Sequence, residues 1–542
     1  MGTPFRSPKL TQGSYLRGME IVEAVLALIA ACIGFALVAR RARVPYAVIL
    51  VLGGMALAFI PGLPGVTLDP EFALAILVPP LLQASAWRTD WRAFRANIRP
   101  ILLLAVGCVL FTAVCIAFTA RLLIPGLPWA AAVALGAIVA PPDAVAASAV
   151  LQRLPLPKRI VVVLEGESLV NDATALVLYR FAVAAVAAGG VALERAAGSF
   201  FLVALGGIAV GWAIGWVVNW SYRRLDDPLL EAAASFIACF GSFFAAEALR
   251  FSGVIAVVTT GLVLGQMQHR TLTPESRLVA RSVWNFVEFV LTSLVFILVG
   301  LQLREILERI SARGMAELAW LALAISAALI VSRFVWVFPA TYLPRLVPAL
   351  RRSSASPPLG HGVVISWAGM RGVVSLAAAL ALPLAFPERD LLVFLAFCAI
   401  LATLVVQGTT LEWVITRFKV TERRPAGMPS EEAEARRHVA RATLAEVERR
   451  AEDVLEGAVA RDLVEEYREK ARVFHAIAEG GSQAELEARL RIRLAALRAG
   501  RRALLERDRA DGLPDELLAE LEAETDLEEL RILRLLGSPP AT

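Results

Sequence analysis

Long apolar runs, separated by short polar or Pro/Gly-rich breaks, recur along the chain from Ile21 to Thr416. Runs of about 15 to 25 residues have the length that a helix needs to cross roughly 30 Å of hydrocarbon. We count about thirteen such runs, of which the second and ninth are the shortest. The pattern predicts an all-α polytopic membrane protein. The predicted spans are residues 21–39, 46–60, 71–87, 100–120, 128–151, 160–189, 198–220, 229–248, 253–268, 284–303, 316–343, 360–386 and 390–415.

The two ends of the chain are polar and differ from its apolar middle. Residues 1–20 lack the ordered charged, apolar and cleavage regions of a removable signal, so we expect an extracytoplasmic N-terminal segment there. Beyond about Phe418 the chain is rich in Glu, Arg, Ala and Leu at helical spacing. We therefore predict a transmembrane domain at 21–416 and a soluble helical tail at 417–542. The mixed charges of the tail fit either a solvated helix face or a regulatory or dimer-supporting role.

Hydrophobic residues make up 58% of the chain, and its formal net charge is +5. The basic residues concentrate in loops after odd-numbered spans, as at 88–99, and are sparse after even-numbered spans, as at Arg121. Loops that stay in the cytoplasm are enriched in Lys and Arg. This predicts a multi-pass protein of the cell inner (plasma) membrane with its N-terminus outside and its C-terminus in the cytoplasm. The topology accounts for the charge, so we expect no nucleic-acid partner.

The residues that usually mark metal, redox or hydrolytic chemistry are placed without a pattern. The 5 cysteines fall inside predicted spans without a CxxC spacing, and the 4 histidines lie at span edges or in the tail. The sequence thus predicts no disulfide, no resident metal and no cofactor. Because the spans carry no Ser/His or His/Glu motif, we expect a transporter rather than an enzyme.

The sixth predicted span carries three carboxylates at membrane depth, which are Glu165, Glu167 and Asp172. A carboxylate at the bilayer centre costs roughly 2.5 to 3.5 kcal/mol, so it persists mainly where it binds an ion, carries a proton or is paired. On a helix, Ser168 and Asp172 share one face, and Glu167 and Asn171 share the adjacent stripe. We therefore predict that this segment carries the functional site of the protein.

Two spans contain residues that interrupt a helix. The fifth span has Pro141 and Pro142 before Asp143, and the twelfth has Gly369 and Gly372 on either side of an arginine. Prolines remove backbone donors and free carbonyl groups one turn earlier. Discontinuous helices at corresponding places in two halves indicate an inverted-repeat transporter with a midplane substrate site. The shift of seven spans is odd, as an inverted repeat requires, and it predicts two discontinuous crossing helices.

Oxygen atoms from these two regions suit a small hard cation. Asp172 and Ser168, with Asp143 and the main-chain carbonyl of Pro142, would form an oxygen cage. Two neighbouring carboxylates raise each other's proton affinity. Such a site can hold either a proton or a cation.

Five motifs, which follow one another along the chain in the family's order, resemble those of the sodium/proton exchangers of the monovalent cation:proton antiporter family. The most specific is the run EGESLVNDATAL from Glu165 to Leu176. The others are PPDAV at 141–145, SGVIAV at 252–257, GMRG at 369–372 and VQGTTL at 406–411. The resemblance covers about residues 20 to 420. It implies a homodimer in which a core bundle carries the ion between the two sides of the membrane.

The resemblance also implies roles for single residues. Asp172 would bind cation or proton in turn, while the residues matching Asp143 and Ser168 help to coordinate the ion. Glu167 would pair with a buried arginine, for which we favour Arg333.

Arg371 remains the alternative partner of that glutamate in the core. It would otherwise neutralise the carbonyl ends created by the break in the twelfth span. The sequence leaves the choice open.

Asn171 stands where electrogenic relatives of these antiporters carry a second aspartate. The resemblance therefore implies electroneutral exchange of one proton for one monovalent cation. Many relatives have a threonine where this chain has Pro142, and some have a glutamate in the stretch that reads PPLLQAS at 79–85. Na⁺ is the first expectation, with Li⁺ or K⁺ left open. A K⁺/H⁺ antiporter, a cation channel without proton coupling and a sensor with vestigial transport are the competing hypotheses.

Overall fold

The computed structural model describes most of the chain as helices joined by short connections. The described residues are 12–42, 44–60, 73–143, 147, 151, 154–188, 193–310, 313–343, 357–421, 428, 430–452, 457–511 and 515–536. Within these ranges the protein contains no β-strand. This confirms the predicted all-α class. The second half of the fifth span, apart from Ala147 and Leu151, lies outside the described residues.

The membrane part consists of helices numbered α1 to α15. Its first helices are α1 (Gln12–Ala42), α2 (Tyr46–Ala58), α3 (Val78–Arg88, after a π-turn at Ala73–Leu77), α4 (Trp91–Ala96), α5 (Ile98–Leu123), α6 (Trp129–Val139) and α7 (Lys158–Ala188). The remaining ones are α8 (Leu193–Leu225), α9 (Pro228–Ala248), α10 (Gly253–Thr271), α11 (Pro274–Arg309), α12 (Met315–Tyr342), α13 (Leu359–Trp367), α14 (Val373–Leu380) and α15 (Arg389–Arg417).

Several of these helices are apolar enough to lie in a bilayer. Among the described residues, 7 helices reach the length and hydropathy of a membrane span, and α2 and α6 are shorter apolar helices. The polytopic character is thus confirmed, while the number of thirteen spans stays a prediction. Helix α1 begins at Gln12, before the predicted start of the first span at Ile21.

Local sequence signals set where the helices of the second half begin. The side chain of Asp227 accepts hydrogen bonds from the Leu229 and Leu230 amides and caps α9. Ser252 and Thr273 cap α10 and α11 in the same way, each accepting from an amide three residues later. Such caps satisfy backbone donors that have no partner inside the helix. Short polar breaks between apolar runs therefore define the helix starts.

The helices form two groups that pack mainly among themselves. We call α5, α6, α7, α12, α13, α14 and α15 the core bundle, and α1, α2, α3, α8, α9, α10 and α11 the scaffold bundle. In the scaffold bundle α2 and α11 approach closely at Gly54, where an added Cβ would meet the Cα of Gly300 at 3.1 Å. Small residues allow such backbone approach between membrane helices, which lack a hydrophobic drive to associate.

The tail forms a second compact unit, Arg423–Thr542. Its helices are α16 (Ser430–Ala451), α17 (Gly457–Ala478), α18 (Ala484–Asp511) and α19 (Asp515–Leu535). Phe474 and Ile477 pack against Ala433 and Ala440, so α16 and α17 share a small apolar core. Hydrogen bonds from neighbouring arginines, Arg449 first, hold the pKa of Glu446 at about 2. The tail's exposed carboxylates of this kind are ionised at neutral pH.

Candidate ion-binding site

The two interrupted helices meet at their breaks. Helix α6 ends at Val139, and the chain continues through Pro141 and Pro142, which cannot donate a backbone hydrogen bond. The other break separates α13 from α14. At the crossing, the Asp143 amide donates to the carbonyl oxygen of Met370 at 2.7 Å. The breaks thus replace lost intrahelical bonds with a bond between two helices, which places Asp143 at their junction.

Arg371 lies beside this crossing and is only 1% exposed. Its Nε donates to the carbonyl oxygen of Val139 at 2.7 Å, and a second guanidinium nitrogen donates to the Gly369 carbonyl. Its own amide donates to the Thr403 hydroxyl at 3.1 Å. A cation at the carbonyl end of a helix is favourable because it opposes the helix dipole. Arg371 therefore donates hydrogen bonds to carbonyl groups at both breaks, the one after α6 and the one between α13 and α14. The sequence had suggested this only for the second break.

Glu167 is paired with Arg333 and makes no bond to Arg371. The two guanidinium nitrogens of Arg333 donate to the two carboxylate oxygens of Glu167 at 2.6 and 2.7 Å. Both side chains are almost fully buried, at 1% and 2% exposure. The Arg333 Nε also donates to the Ile365 carbonyl at 3.1 Å. One ion pair thereby connects α7, α12 and α13 inside the core bundle.

Asp172, Asp143 and Ser168 line one small cavity of about 60 Å³. Asp172 and Ser168 come from α7, one helical turn apart as the spacing predicted, and Asp143 comes from the crossing. The structure therefore brings the predicted side-chain oxygens together. Asp172 is buried, at 9% exposure. These oxygens are of the type that hard monovalent cations and protons both bind.

Pro142 is placed differently from the expectation. It is not one of the residues lining the cavity, and its carbonyl oxygen accepts a hydrogen bond from the Asn171 side-chain amide at 2.7 Å. Asn171 is fully buried at 0% exposure. This bond ties α7 to the break in the fifth span. Asn171 therefore connects the helix that carries Asp172 to the segment that carries Asp143.

The sequence reading missed three hydroxyl groups whose residues line the same cavity. They belong to Ser85 of α3, Thr292 of α11 and Ser375 of α14. The Thr292 hydroxyl is buried without a hydrogen-bond partner among the described residues. A buried polar atom without a partner is costly, which is informative when it faces a cavity. For Thr292 the sequence offered one signal, which is its place beside Ser293 inside an apolar run. Such hydroxyl residues are common in membrane helices, so the signal is not specific.

Gly372 allows α14 to approach the carboxylate of Asp143 closely. A Cβ added at Gly372 would overlap the Asp143 side chain, since its nearest contacts are the carboxylate oxygen and carbon of that residue. The backbone there is extended, with φ of −135°, so the requirement comes from space and not from torsional strain. The glycine thus determines where one predicted ion ligand lies.

We expect Gly372→Ala to reduce cation-dependent proton flux by roughly 10- to 100-fold, as a displacement of about 1 Å does in an enzyme site. Flux into proteoliposomes measures this. Gly362→Ala in the same broken span is the matched control, because its Cβ would contact only the Phe338 ring at an ordinary 3.6 Å. Equal flux in the two variants would show that the position of Asp143 is not critical.

The half-buried Asp143 and the buried Asp172, which line one cavity at the crossing of interrupted helices, define a membrane transporter of the secondary, ion-coupled class. A family model described as sodium/hydrogen exchanger, transmembrane, matches residues 25–417. An uncharacterised Na⁺/H⁺ exchanger of Mycobacterium tuberculosis is 35% identical over 527 residues, covering 94% of this chain and 96% of that protein. The chain belongs to the sodium/hydrogen exchanger family, and its activity is cation/proton antiport.

Two further proteins, one of them of known structure, are similar to this chain. A sodium, potassium, lithium and rubidium/H⁺ antiporter of Bacillus pumilus is 33% identical over 410 residues, covering 72% of this chain and 61% of that protein. The structure of the sodium proton antiporter MjNhaP1 from Methanocaldococcus jannaschii superimposes with a TM-score of 0.58 at 19% identity, covering 72% of this chain and 99% of that one. The second similarity supports the fold alone, and it agrees with the predicted exchanger architecture.

Proposed function

We propose that this protein exchanges one monovalent cation, Na⁺ in the first place, for one proton in an electroneutral cycle centred on Asp172. The observation that carries the proposal is the shared cavity of Asp172, Asp143 and Ser168 at the crossing of two broken helices. Asp172 binds the cation or the proton, and the two compete for its carboxylate. Asp143 and Ser168 contribute further oxygen ligands.

The charges that surround the cavity support the proposed one-to-one stoichiometry, in which Asp143 is assigned a constant charge. Glu167 is committed to Arg333, so it does not exchange its charge during transport. Asn171 is neutral and bonded to the Pro142 carbonyl. Asp172 is then the one carrier that alternates between proton and cation, while Asp143 keeps its charge in both states. One cation replaces one proton, and no net charge crosses the membrane.

Alternating access is supported by the position of the cavity between the two bundles. Ser85 and Thr292 come from the scaffold bundle, whereas Asp143, Asp172 and Ser375 come from the core bundle. The Glu167 ion pair and the bond from Asn171 to Pro142 lie entirely within the core bundle. The core bundle can therefore move as one body past Ser85 and Thr292 without losing its internal bonds, opening the cavity to each side in turn.

The assembly and placement of the protein are part of the same proposal. We place it as a homodimer in the cell inner membrane, with the N-terminus outside and the tail in the cytoplasm. The basic residues of α4 and at the start of α7, such as Arg92, Arg95 and Arg159, support this orientation. In this arrangement the exchanger serves cellular pH homeostasis.

The proposal is tested with wild-type proteoliposomes that carry an imposed pH gradient. We expect Na⁺ to dissipate the gradient, and the rate to be unchanged when a K⁺ diffusion potential of either sign is imposed. Li⁺ and K⁺ are added in turn, because the Bacillus pumilus relative is named for transport of several alkali cations. A rate that follows the potential would contradict electroneutral exchange. Dissipation by K⁺ but not by Na⁺ would make this a K⁺/H⁺ antiporter, and cation flux without proton movement would indicate a channel.

A further inference from the structure

A second and larger cavity lies in the core bundle, away from the ion site. It has a volume of about 550 Å³ and lies among α4, α5, the start of α7, the end of α12 and the start of α13. Three arginines, Arg95, Arg99 and Arg159, line it. None of the described residues that line it is an aspartate or glutamate. The cavity therefore carries a concentrated positive charge that ion transport does not use.

The arginines are available to bind an anion. Arg95 and Arg99 are exposed and form no ion pair with any residue in the described part of the chain. Arg159 donates from Nε to the Asn97 side-chain oxygen at 3.2 Å, which orients its guanidinium group toward the cavity. A guanidinium group matches the geometry of phosphate oxygens and binds them in a bidentate manner. A phosphate group is thus the chemistry that this end of the cavity fits.

One helical turn beyond Arg99 the lining of the cavity becomes apolar and reaches the surface at Leu103. Leu103, Val337 and Ile365 line this apolar wall, and Leu103 is 43% exposed. The neighbouring Trp336 donates from its indole nitrogen to the Leu103 carbonyl at 2.9 Å. An amphipathic indole of this kind is typical of the membrane interface. The cavity therefore runs from charged helix ends into the apolar depth of the bilayer.

We propose that this cavity binds an anionic phospholipid, with the headgroup phosphate on Arg95, Arg99 and Arg159 and an acyl chain along Leu103. Basic pockets between transmembrane helices on the cytoplasmic side are suited to anionic headgroups. A free phosphate compound would use the arginines but leave the apolar wall without a partner. The lipid would connect α4 and α5 with α12 and α13 on the outer face of the core bundle.

The test measures lipid binding by the full-length protein, purified in detergent and depleted of lipid. Dioctanoyl phosphatidylglycerol is titrated and the bound lipid is measured by native mass spectrometry. We expect the double variant Arg95→Gln/Arg99→Gln to bind roughly 25-fold more weakly, at about five-fold for each arginine. Arg92→Gln is the matched control, because Arg92 is exposed on the same helix α4 but does not line the cavity. It should bind as the wild type does.

Three results would overturn the proposal. Equal binding of phosphatidylglycerol and phosphatidylcholine would show that lipid binds to the apolar surface of the protein without selection for an anionic headgroup. Unchanged affinity in the double variant would place the lipid elsewhere. Displacement of the lipid by inorganic phosphate at a similar concentration would assign the site to a soluble phosphate compound. Arg99→Lys should bind less tightly than the wild type but more tightly than Arg99→Gln, since it retains the charge and loses the bidentate guanidinium geometry. Every variant is compared only where it elutes as a monodisperse protein.

Discussion

We expect replacement of Asp172 by asparagine to abolish cation-dependent proton flux, leaving only the rate of protein-free liposomes. The amide has nearly the shape of the carboxylate, so the cavity with Asp143 and Ser168 should persist. It can neither take up a proton nor supply a negative charge to a cation. Both partners of the exchange lose their shared site, and flux stops in each direction. The measurement is dissipation of an imposed pH gradient on addition of Na⁺, Li⁺ or K⁺.

The control for this prediction is Asp227→Asn, another exchange of carboxylate for amide in the same membrane domain. Asp227 caps α9 through the Leu229 and Leu230 amides, and asparagine caps a helix about as well as aspartate does. We expect flux at the wild-type level. If Asp172→Asn transported as fast as this control, the carrier assignment would be wrong. Equal loss of flux in both variants would indicate that the reconstitution into liposomes had failed.

The sequence predicted the fold class well, because the length of an apolar run is a local property. Helices α11 and α12 lie where the runs at 284–303 and 316–343 placed them, though α11 extends well before its predicted start. That extension is amphipathic and polar, so hydropathy alone could not detect it. The starts of α9 and α10 coincide with capping residues. Local signals of this kind need no knowledge of tertiary structure.

The ion site was predictable only in part. Asp172 and Ser168 could be placed together because one helix fixes their spacing. Asp143 could be added because broken helices in two halves tend to meet. Thr292 and Ser375 could not be found, because their position at the cavity depends on how α11 and α14 pack. The choice between Arg333 and Arg371 likewise depends on distances between helices, which no spacing along the chain reveals.

The contacts of Arg371 with both breaks could not be predicted from the sequence either. From sequence it could be related only to the break that surrounds it. Its bond to the Val139 carbonyl exists because the other broken helix crosses at that place. The two breaks are thus interdependent, since one buried cation neutralises carbonyl groups on both.

Removal of Arg333 should destabilise the core bundle, because this arginine is the buried partner of Glu167. We expect Arg333→Met to lower the free energy of unfolding by about 3 to 5 kcal/mol, because Glu167 is left as a buried charge without its partner. The Ile365 carbonyl also loses its donor. Arg304→Met is the matched control, since Arg304 pairs with Glu308 at 56% and 65% side-chain exposure. Such an exposed pair contributes at most about 1 kcal/mol. Unfolding in detergent by titration with sodium dodecyl sulfate measures both.

A second variant separates the unpaired charge from the loss of the arginine itself. In Arg333→Met/Glu167→Leu no charge remains buried, so stability should recover toward that of the wild type, as it does when a buried ion pair is replaced by apolar side chains. If the double variant were as unstable as Arg333→Met, the arginine would act mainly through the Ile365 carbonyl. Transport separates the roles further. Since Glu167 does not carry the ion in the proposed cycle, a stable double variant should retain electroneutral, cation-dependent flux through Asp172.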